Sequence, residues 1–186
     1  MGPATTIRRA LVLGIRTLGM HAALVTMLSG AAVQPVAAQA EAIAPRVRSE
    51  SARIAEVIAR GRAGSPTFRR LIETIEATDG LVFVDEGECA GGVRACLRLS
   101  VTVAGPSRLL RIVVNLRRAP GCEAVEMIGH ELQHAIELLR NPGIRSDIQA
   151  YNFFYNLGRT SARRFETEAA MQAGIAIATE GCDQAE

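Results

Sequence analysis

Two histidines and a glutamate between Ile128 and Leu139 have the types and spacing to bind a metal ion and activate water. His130 and His134 are four residues apart, so on an α-helix both imidazoles lie on one face, one turn apart. Two neutral imidazole nitrogens at this spacing suit zinc. Glu131 lies about 100° round the helix from His130, too far to be a simple third ligand but near enough to reach a water held by the metal. The pattern predicts a zinc site with Glu131 as general base.

The alternative interpretation is an amphipathic helix that carries these polar residues by chance. The apolar residues of the same segment recur at helical spacing and would be buried in either case: Val125, Ile128, Leu132, Ala135, Ile136 and Leu139. The chain has three histidines, and the two that follow the first forty residues both belong to the pattern. Chance placement would produce this pattern in only about three of a thousand chains of such composition. Because histidine is scarce in this chain, two histidines at this spacing favour a metal site over a chance arrangement.

A catalytic zinc needs a third protein ligand, and with no histidine left it must be a carboxylate or a thiolate. Glu137 lies near the face of the histidines but is about 10 Å of helix rise from the first of them, so a solvated or salt-bridged role is expected. We predict a long helix over residues 163–179 and choose Glu166 as the ligand. On that helix Glu166 shares a face with small and apolar residues, which indicates that it points inward: Ala169, Ala170, Ala173 and Ile177. The alternatives are Glu168 as the ligand, or a buried Glu166 paired with an arginine.

The arrangement of these residues resembles the gluzincin metalloproteases, in which HExxH lies on one helix and a glutamate comes from a later helix. The form Glu166-x-x-Ala169 is similar to the ExxA element of membrane CAAX-type proteases and their minimal soluble relatives, although the Asp that commonly follows the alanine is Ala170 here. The resemblance covers residues 121–182 and, more loosely, the strands before them. It implies a small secreted bacterial member with a minimal zincin-like fold that cleaves a peptide or protein substrate.

The resemblance also implies a role for each residue of the predicted site. Zinc held by the two histidines and Glu166 would polarise a water, and Glu131 would take its proton and pass it to the leaving amine. Gluzincins usually also direct a Tyr, His or Arg at the developing oxyanion. Tyr151 and Tyr155 are the available phenols; Tyr155 is taken as the candidate, and packing is the alternative role for either.

Two other function classes are compatible with the same residues. Two histidines and one carboxylate also suit mononuclear non-heme Fe(II), and Glu131-x-x-His134 is half of a di-iron helix motif. A di-iron site needs a second such motif, and no further histidine follows residue 40 to build it. A protease-derived fold that binds a metal or a partner without catalysis would have much the same sequence. Such a protein would not need Glu131, so hydrolysis is the favoured interpretation.

The elements that must position these residues indicate an α+β fold. A helical N-terminal segment is predicted over residues 41–64, and a zincin-like domain over residues 65–186 opens with a helix started by Ser65-Pro66. Three strands of a small twisted sheet follow, and then three helices: strands Leu81 to Asp85, Leu97 to Val103 and Leu109 to Asn115, and helices Glu123 to Leu139, Asp147 to Asn156 and Arg163 to Thr179. The third strand is the candidate for pairing with an extended peptide.

The first forty residues have the pattern of a secretory signal peptide. They contain no acidic residue, carry three arginines, run apolar from Ala22 to Val33 and end in the cleavage-like Ala38-Gln39-Ala40. The apolar run is shorter than the roughly 20 residues that span a bilayer, so no stable membrane insertion is expected after the leader is removed. The protein is predicted to be secreted or periplasmic. A membrane anchor, twin-arginine export and a mitochondrial transit peptide are the alternatives.

Charge and cysteine content narrow the expected partners of the remaining chain. Residues 41–186 carry 18 scattered arginines, no lysine and 19 acidic residues, so nucleic-acid binding is not expected. All four cysteines lie in this part, which in an exported protein favours two disulfides over a thiolate zinc site. We predict that Cys89 pairs with Cys96 across a glycine-rich turn, and that Cys122 pairs with Cys182.

Overall fold

The computed structural model describes residues 44–157, 159–161 and 164–181, so the predicted signal peptide over residues 1–40 lies outside the described part of the chain. This part contains five α-helices, a four-stranded open sheet and a two-stranded hairpin. The mixed α/β architecture is consistent with the predicted α+β class. None of the described helices is long and apolar enough to cross a membrane.

Serine side chains determine where the first two helices begin. Helix α1 spans Ala52–Gly64, and its N-cap Ser51 accepts a hydrogen bond from the first turn. Helix α2 spans Pro66–Glu76 and follows the predicted Ser65-Pro66 start, where Ser65 Oγ accepts from the Phe68 N–H at 2.9 Å. The helix predicted over residues 41–64 therefore occupies only the later part of that range.

The residues just before α1 form a short strand instead of helix. Val47–Arg48 is strand β1, which pairs in parallel with the strand that contains Val82. Extended backbone lets the Arg46 carbonyl accept from the Val82 N–H at 2.8 Å and leaves the Val47 side chain buried. These tertiary contacts override the weak helical pattern of this segment.

The three predicted strands are present and form one sheet with β1. They are β2 (Gly80–Glu86), β3 (Ala95–Ala104) and β4 (Ser107–Val114), and the order across the sheet is β1-β2-β4-β3. The pairs β1–β2 and β2–β4 are parallel, whereas β3 pairs antiparallel with β4. The turn between β3 and β4 contains Gly105 with a φ of 56°, a conformation that favours glycine. Because β3 is the last strand in this order, it lies at an edge of the described sheet.

Strand β4 has no free edge, so the prediction that Leu109 to Asn115 binds an extended peptide is wrong. It pairs with β2 on one side and with β3 on the other. Leu110, Ile112 and Val114 on this strand are almost completely buried, as expected for an interior strand. The edge strands of the described sheet are β1 and β3.

Three further helices and a hairpin complete the described structure. Helix α3 spans Cys122–Leu139 and carries the HExxH motif, α4 spans Asp147–Leu157, and α5 spans Glu168–Glu180. The hairpin between α4 and α5 consists of β5 and β6, which are Arg159–Ser161 and Arg164–Glu166. The core lies between one face of the sheet and α1, α2 and α3.

Helices α3 and α5 pack closely because small residues lie between them. A Cβ atom at Gly129 on α3 would come within 2.0 Å of the Ile177 Cδ1 atom on α5. Ala170 and Ala173 on α5 are also buried. The small residue at position 129 therefore permits the close approach of the two helices. The close packing brings Gly174, in the middle of α5, next to His130.

Arg108 holds the C-terminal end of α3. The residue is 1% exposed although it is charged, and its guanidinium donates to the carbonyls of Leu138 and Leu139 at 3.2 and 2.7 Å. It also donates to both carboxylate oxygens of Asp79, and this hydrogen bonding lowers the pKa of Asp79. A cation at the carbonyl end of a helix is favoured by the helix dipole. The ion pair of Arg108 and Asp79 therefore ties the end of the motif helix to the sheet.

Replacing Arg108 with Ala is expected to lower the free energy of unfolding by about 3 to 5 kcal/mol, because helix carbonyls and Asp79 lose their cationic donor. Urea unfolding followed by circular dichroism measures this loss. Arg111→Ala is the matched control: its ion pair with Asp85 is partly exposed, so its loss should stay below about 1 kcal/mol. Equal losses in the two variants would contradict the structural role of Arg108.

Candidate metal centre

Helix α3 places the two predicted histidine ligands side by side. All six apolar residues predicted to bury this helix are buried, which fixes its rotation and directs the opposite face at a cleft. His130 and His134 lie one turn apart on that face, with ring centroids separated by 4.9 Å. Their side chains are 16% and 6% exposed, so both imidazoles lie at the bottom of the cleft instead of in bulk solvent.

Glu166 joins the histidines from the hairpin rather than from a helix. It is the last residue of β6, and its Oε2 atom lies 3.2 Å from His130 Nε2. The helix predicted to begin at Arg163 starts only at Glu168, because the Thr167 hydroxyl caps it by accepting from the Ala170 N–H. The argument from an alanine-lined helix face was therefore wrong, although the residue it selected lies in the group.

The alternative ligand Glu168 lies outside the group. It is in the first turn of α5, where it is exposed and accepts a hydrogen bond from Gln172 at 2.9 Å. The candidate ligand atoms of His130, His134 and Glu166, in contrast, all lie within 4.8 Å of one another. The chain thus brings together two imidazoles and one carboxylate that can hold a metal ion.

Glu137 orients one of these imidazoles, a role that the sequence interpretation missed. Its Oε2 atom lies 2.9 Å from His134 Nδ1, and its Oε1 atom accepts from the Thr167 hydroxyl at 2.6 Å. The side chain is 10% exposed and lies within ion-pair distance of His134, so of the two expected roles the paired one, and not the solvated one, agrees with the structure. Burial acts to raise the pKa of Glu137, but the hydrogen bonds from His134 and Thr167 outweigh it and the pKa is lowered. The i,i+3 spacing of His134 and Glu137 was the signal that could have revealed this contact.

The Glu137 contact supports the fit of the group to a metal ion. A metal-bound histidine generally has its other ring nitrogen hydrogen-bonded to a carboxylate or carbonyl, which sets the tautomer and the ring orientation. Here Glu137 engages Nδ1 of His134 and leaves Nε2 of that ring for the group. Two imidazole nitrogens and a carboxylate oxygen are a ligand set typical of zinc.

No family model, curated protein or solved structure matches this chain significantly.

Changing Glu137 to Gln is expected to weaken zinc binding by about 10- to 100-fold, because an amide cannot hold His134 with the charge of a carboxylate. Competition with a chromogenic chelator measures the affinity. Thr167→Ser is the matched control, since serine keeps both the helix cap and the hydroxyl that Glu137 accepts from. An affinity that is unchanged in Glu137→Gln would remove Glu137 from the metal centre.

Glu131 lies beside the group but points at strand β3. It is 8% exposed, and its Oε2 atom accepts a hydrogen bond from the Leu97 N–H at 2.6 Å. Burial raises the pKa of Glu131, against the opposing influence of the nearby His134 and His130 imidazoles. A carboxylate with a raised pKa accepts a proton more readily near neutral pH. The position and the environment of Glu131 therefore suit a general base.

The group opens onto a cleft of about 1050 Å³. One wall is the motif face of α3, and the opposite wall is formed by β3 with the loop of residues 90–94 that precedes it. Phe154 and Phe165 also line the cleft, and their rings stack with centroids 6.0 Å apart. The cleft is therefore lined by both apolar and charged side chains and is bordered by an edge strand of the sheet.

The structure does not bring Tyr155 to this cleft. Its residue surface is 58% exposed, and its ring stacks on Tyr151 at a centroid distance of 6.0 Å. Tyr151 in turn is 45% exposed and contacts Phe165 edge-on. The buried face of α4 carries Ala150 and Phe154 instead. The position of Tyr155 gives no support to its predicted role at the oxyanion, and both tyrosines have packing contacts.

One predicted disulfide is present at the edge of the cleft. Cys89 and Cys96 are bonded, which joins the loop before β3 to the strand itself. Cys122 is also disulfide-bonded, but its predicted partner Cys182 lies outside the described residues. The Cys89–Cys96 bridge fixes one wall of the cleft directly before Leu97.

Proposed function

We propose that this protein is a zinc-dependent peptidase in which Glu131 is the general base for attack of water on a peptide bond. One observation carries the proposal: two imidazoles and the Glu166 carboxylate converge within 4.8 Å, and Glu131 is buried beside them in the same cleft. Burial of a carboxylate is costly unless it is hydrogen-bonded or paired, and the Leu97 N–H supplies Glu131 with one such partner. Metal binding alone would not require Glu131 at this position.

The side chains have separate tasks in this proposal. His130, His134 and Glu166 would hold zinc, which supplies a Lewis acid and lowers the pKa of a water molecule. Glu131 takes the proton of the attacking water and passes it to the nitrogen of the leaving amine. Glu137 holds Nδ1 of His134 so that Nε2 is the nitrogen directed at the metal.

The proposed fold and family follow from the same features. HExxH on one helix and a glutamate that follows later in the chain are the features by which the sequence resembles the gluzincins, and we propose a minimal zincin-like fold. An extended peptide would pair with the outer edge of β3, which borders the cleft in the described sheet, at positions other than Leu97 and Val101, whose N–H groups donate to Glu131 and Asp147. The Cys89–Cys96 disulfide is typical of an exported protein, and it supports the proposed secreted or periplasmic location.

The ligand set favours one competing function, a mononuclear Fe(II) centre. Two imidazoles and one carboxylate are also the ligands of oxygen-activating non-heme iron enzymes. Iron chemistry of that kind leaves the buried Glu131 without a task, whereas hydrolysis uses it. Hydrolysis is therefore the better supported function.

A metal-replacement experiment tests the proposal. The purified protein is stripped with a chelator, reloaded with Zn²⁺ or with Fe²⁺ under anaerobic conditions, and incubated with a degenerate peptide library that is analysed by mass spectrometry. We expect internal cleavage with Zn²⁺ and none in the stripped protein. A zinc-loaded protein that leaves every peptide intact would contradict the proposed function and favour a binding role.

A further inference from the structure

The outer edge of β3, which does not pair with β4, carries a backbone donor that contacts the proposed base. The Leu97 N–H donates to Glu131 Oε2 at 2.6 Å. Strand geometry explains why this donor is available. The Arg94 carbonyl accepts from the Asn115 N–H at 2.8 Å, so the backbone carbonyl of Arg94 points towards β4. In an antiparallel pair the backbone groups alternate in direction, which turns those of Ala95 and Leu97 away from β4.

Leu97 is held firmly on both sides. Its neighbours Cys96 and Arg98 lie opposite Val113 and Arg111 in the antiparallel ladder. Cys96 is in addition bonded to Cys89. The Leu97 side chain packs against the hydrophobic core. The direction of the Leu97 N–H is therefore fixed by the sheet, the disulfide and the core, independently of Glu131.

We propose that the Leu97 N–H is a positioning group for Glu131, an inference that rests on the proposed function. The bond engages Oε2 alone, so it orients the carboxylate plane and leaves Oε1 for proton transfer. Hydrogen bonds to a charged acceptor are among the stronger ones in proteins, and small displacements of a catalytic group are costly to turnover. A rigid backbone donor thus keeps the base aligned without a further side chain.

Leu97→Pro tests this proposal because proline lacks the N–H, and an edge position whose N–H faces away from its neighbour tolerates proline. Leu97→Ala is the reference, since it also removes the branched leucine side chain but keeps the N–H donor. Ala95→Pro places proline at another outward-facing position that does not contact Glu131. We expect kcat of Leu97→Pro to fall about 10- to 100-fold below that of Leu97→Ala, with zinc affinity equal in both. Ala95→Pro is expected to change KM more than kcat.

A second measurement is independent of turnover. In the proton NMR spectrum of the full zinc-loaded protein, the Leu97 amide should resonate far downfield and exchange slowly, and Glu131→Ala should abolish both features. An amide unaffected by Glu131→Ala, or equal kcat values for Leu97→Pro and Leu97→Ala, would overturn the proposal. A wild-type protein that binds zinc but cleaves no peptide would instead reject the proposed function, while the amide resonance would still decide whether the donor holds Glu131.

Discussion

Replacing Glu131 with Gln is expected to lower kcat/KM for peptide cleavage by about 10²- to 10⁴-fold while zinc stays bound and the fold stays intact. The amide has nearly the same shape as the carboxylate, and its oxygen can still accept from the Leu97 N–H. It cannot take a proton from water near neutral pH, so general base catalysis is lost, and this catalysis typically contributes that factor. Initial rates on a cleaved library peptide, with zinc content measured on the same samples, provide the comparison.

The control for this variant is Glu168→Gln, which changes an exposed carboxylate on α5 outside the ligand group. It should cleave at the wild-type rate. If Glu131→Gln retained wild-type turnover with zinc bound, Glu131 would have no part in proton transfer. If it lost zinc as well as activity, Glu131 would belong to the ligand group instead.

Removing the Glu166 carboxylate is expected to weaken zinc binding by more than about 100-fold, above the range found for residues that only orient a ligand. The Glu166 side chain is the one carboxylate among the three candidate ligands. Without it, two imidazoles remain, which is one ligand fewer than a catalytic zinc site uses. Competition between the Glu166→Ala protein and a chelator of known affinity measures the loss.

Glu168→Ala is the matched control for this second prediction, because it removes a carboxylate only two residues further along the chain. Its affinity for zinc should equal that of the wild type. The opposite outcome, in which Glu168→Ala loses zinc and Glu166→Ala keeps it, would assign the third ligand to Glu168. Unfolding curves of both variants separate a lost ligand from a lost fold.

The residues of α3 show what the sequence can predict about such a site. Helical spacing alone places His130 and His134 on one face, since both belong to a single helix whose apolar stripe fixes its rotation. The same holds for β2, β3 and β4, whose alternating or apolar patterns define them locally. Properties that depend on one element can be read from sequence because they need no knowledge of tertiary contacts.

Other features depend on contacts between distant segments and could not be predicted in this way. Glu166 was selected on a helix that begins only after it, because the Thr167 cap was not recognised. Glu137 was expected to be solvated or salt-bridged, and its contact with Thr167 could not be predicted because Thr167 comes from a segment 30 residues away. Tyr155 was chosen as one of two available phenols, but the rotation of α4 buries Phe154 and leaves Tyr155 exposed.

Strand order is a further example. Leu109 to Asn115 was proposed as the peptide-binding strand, although the sequence contains no signal for strand order. The structure places this strand in the interior of the sheet, with β2 and β3 on its two sides. The edge strand next to the proposed base is instead β3.

X-ray absorption spectroscopy of the zinc-loaded protein, compared with the same spectrum of Glu166→Ala, tests the central claim most directly. We predict one zinc ion per chain, bound by two imidazole nitrogens and by oxygen ligands that include Glu166, with oxygen scattering altered in the variant. A spectrum with sulfur ligands, with fewer than two imidazoles, or with no change in Glu166→Ala would contradict the proposed centre and the hydrolysis that depends on it.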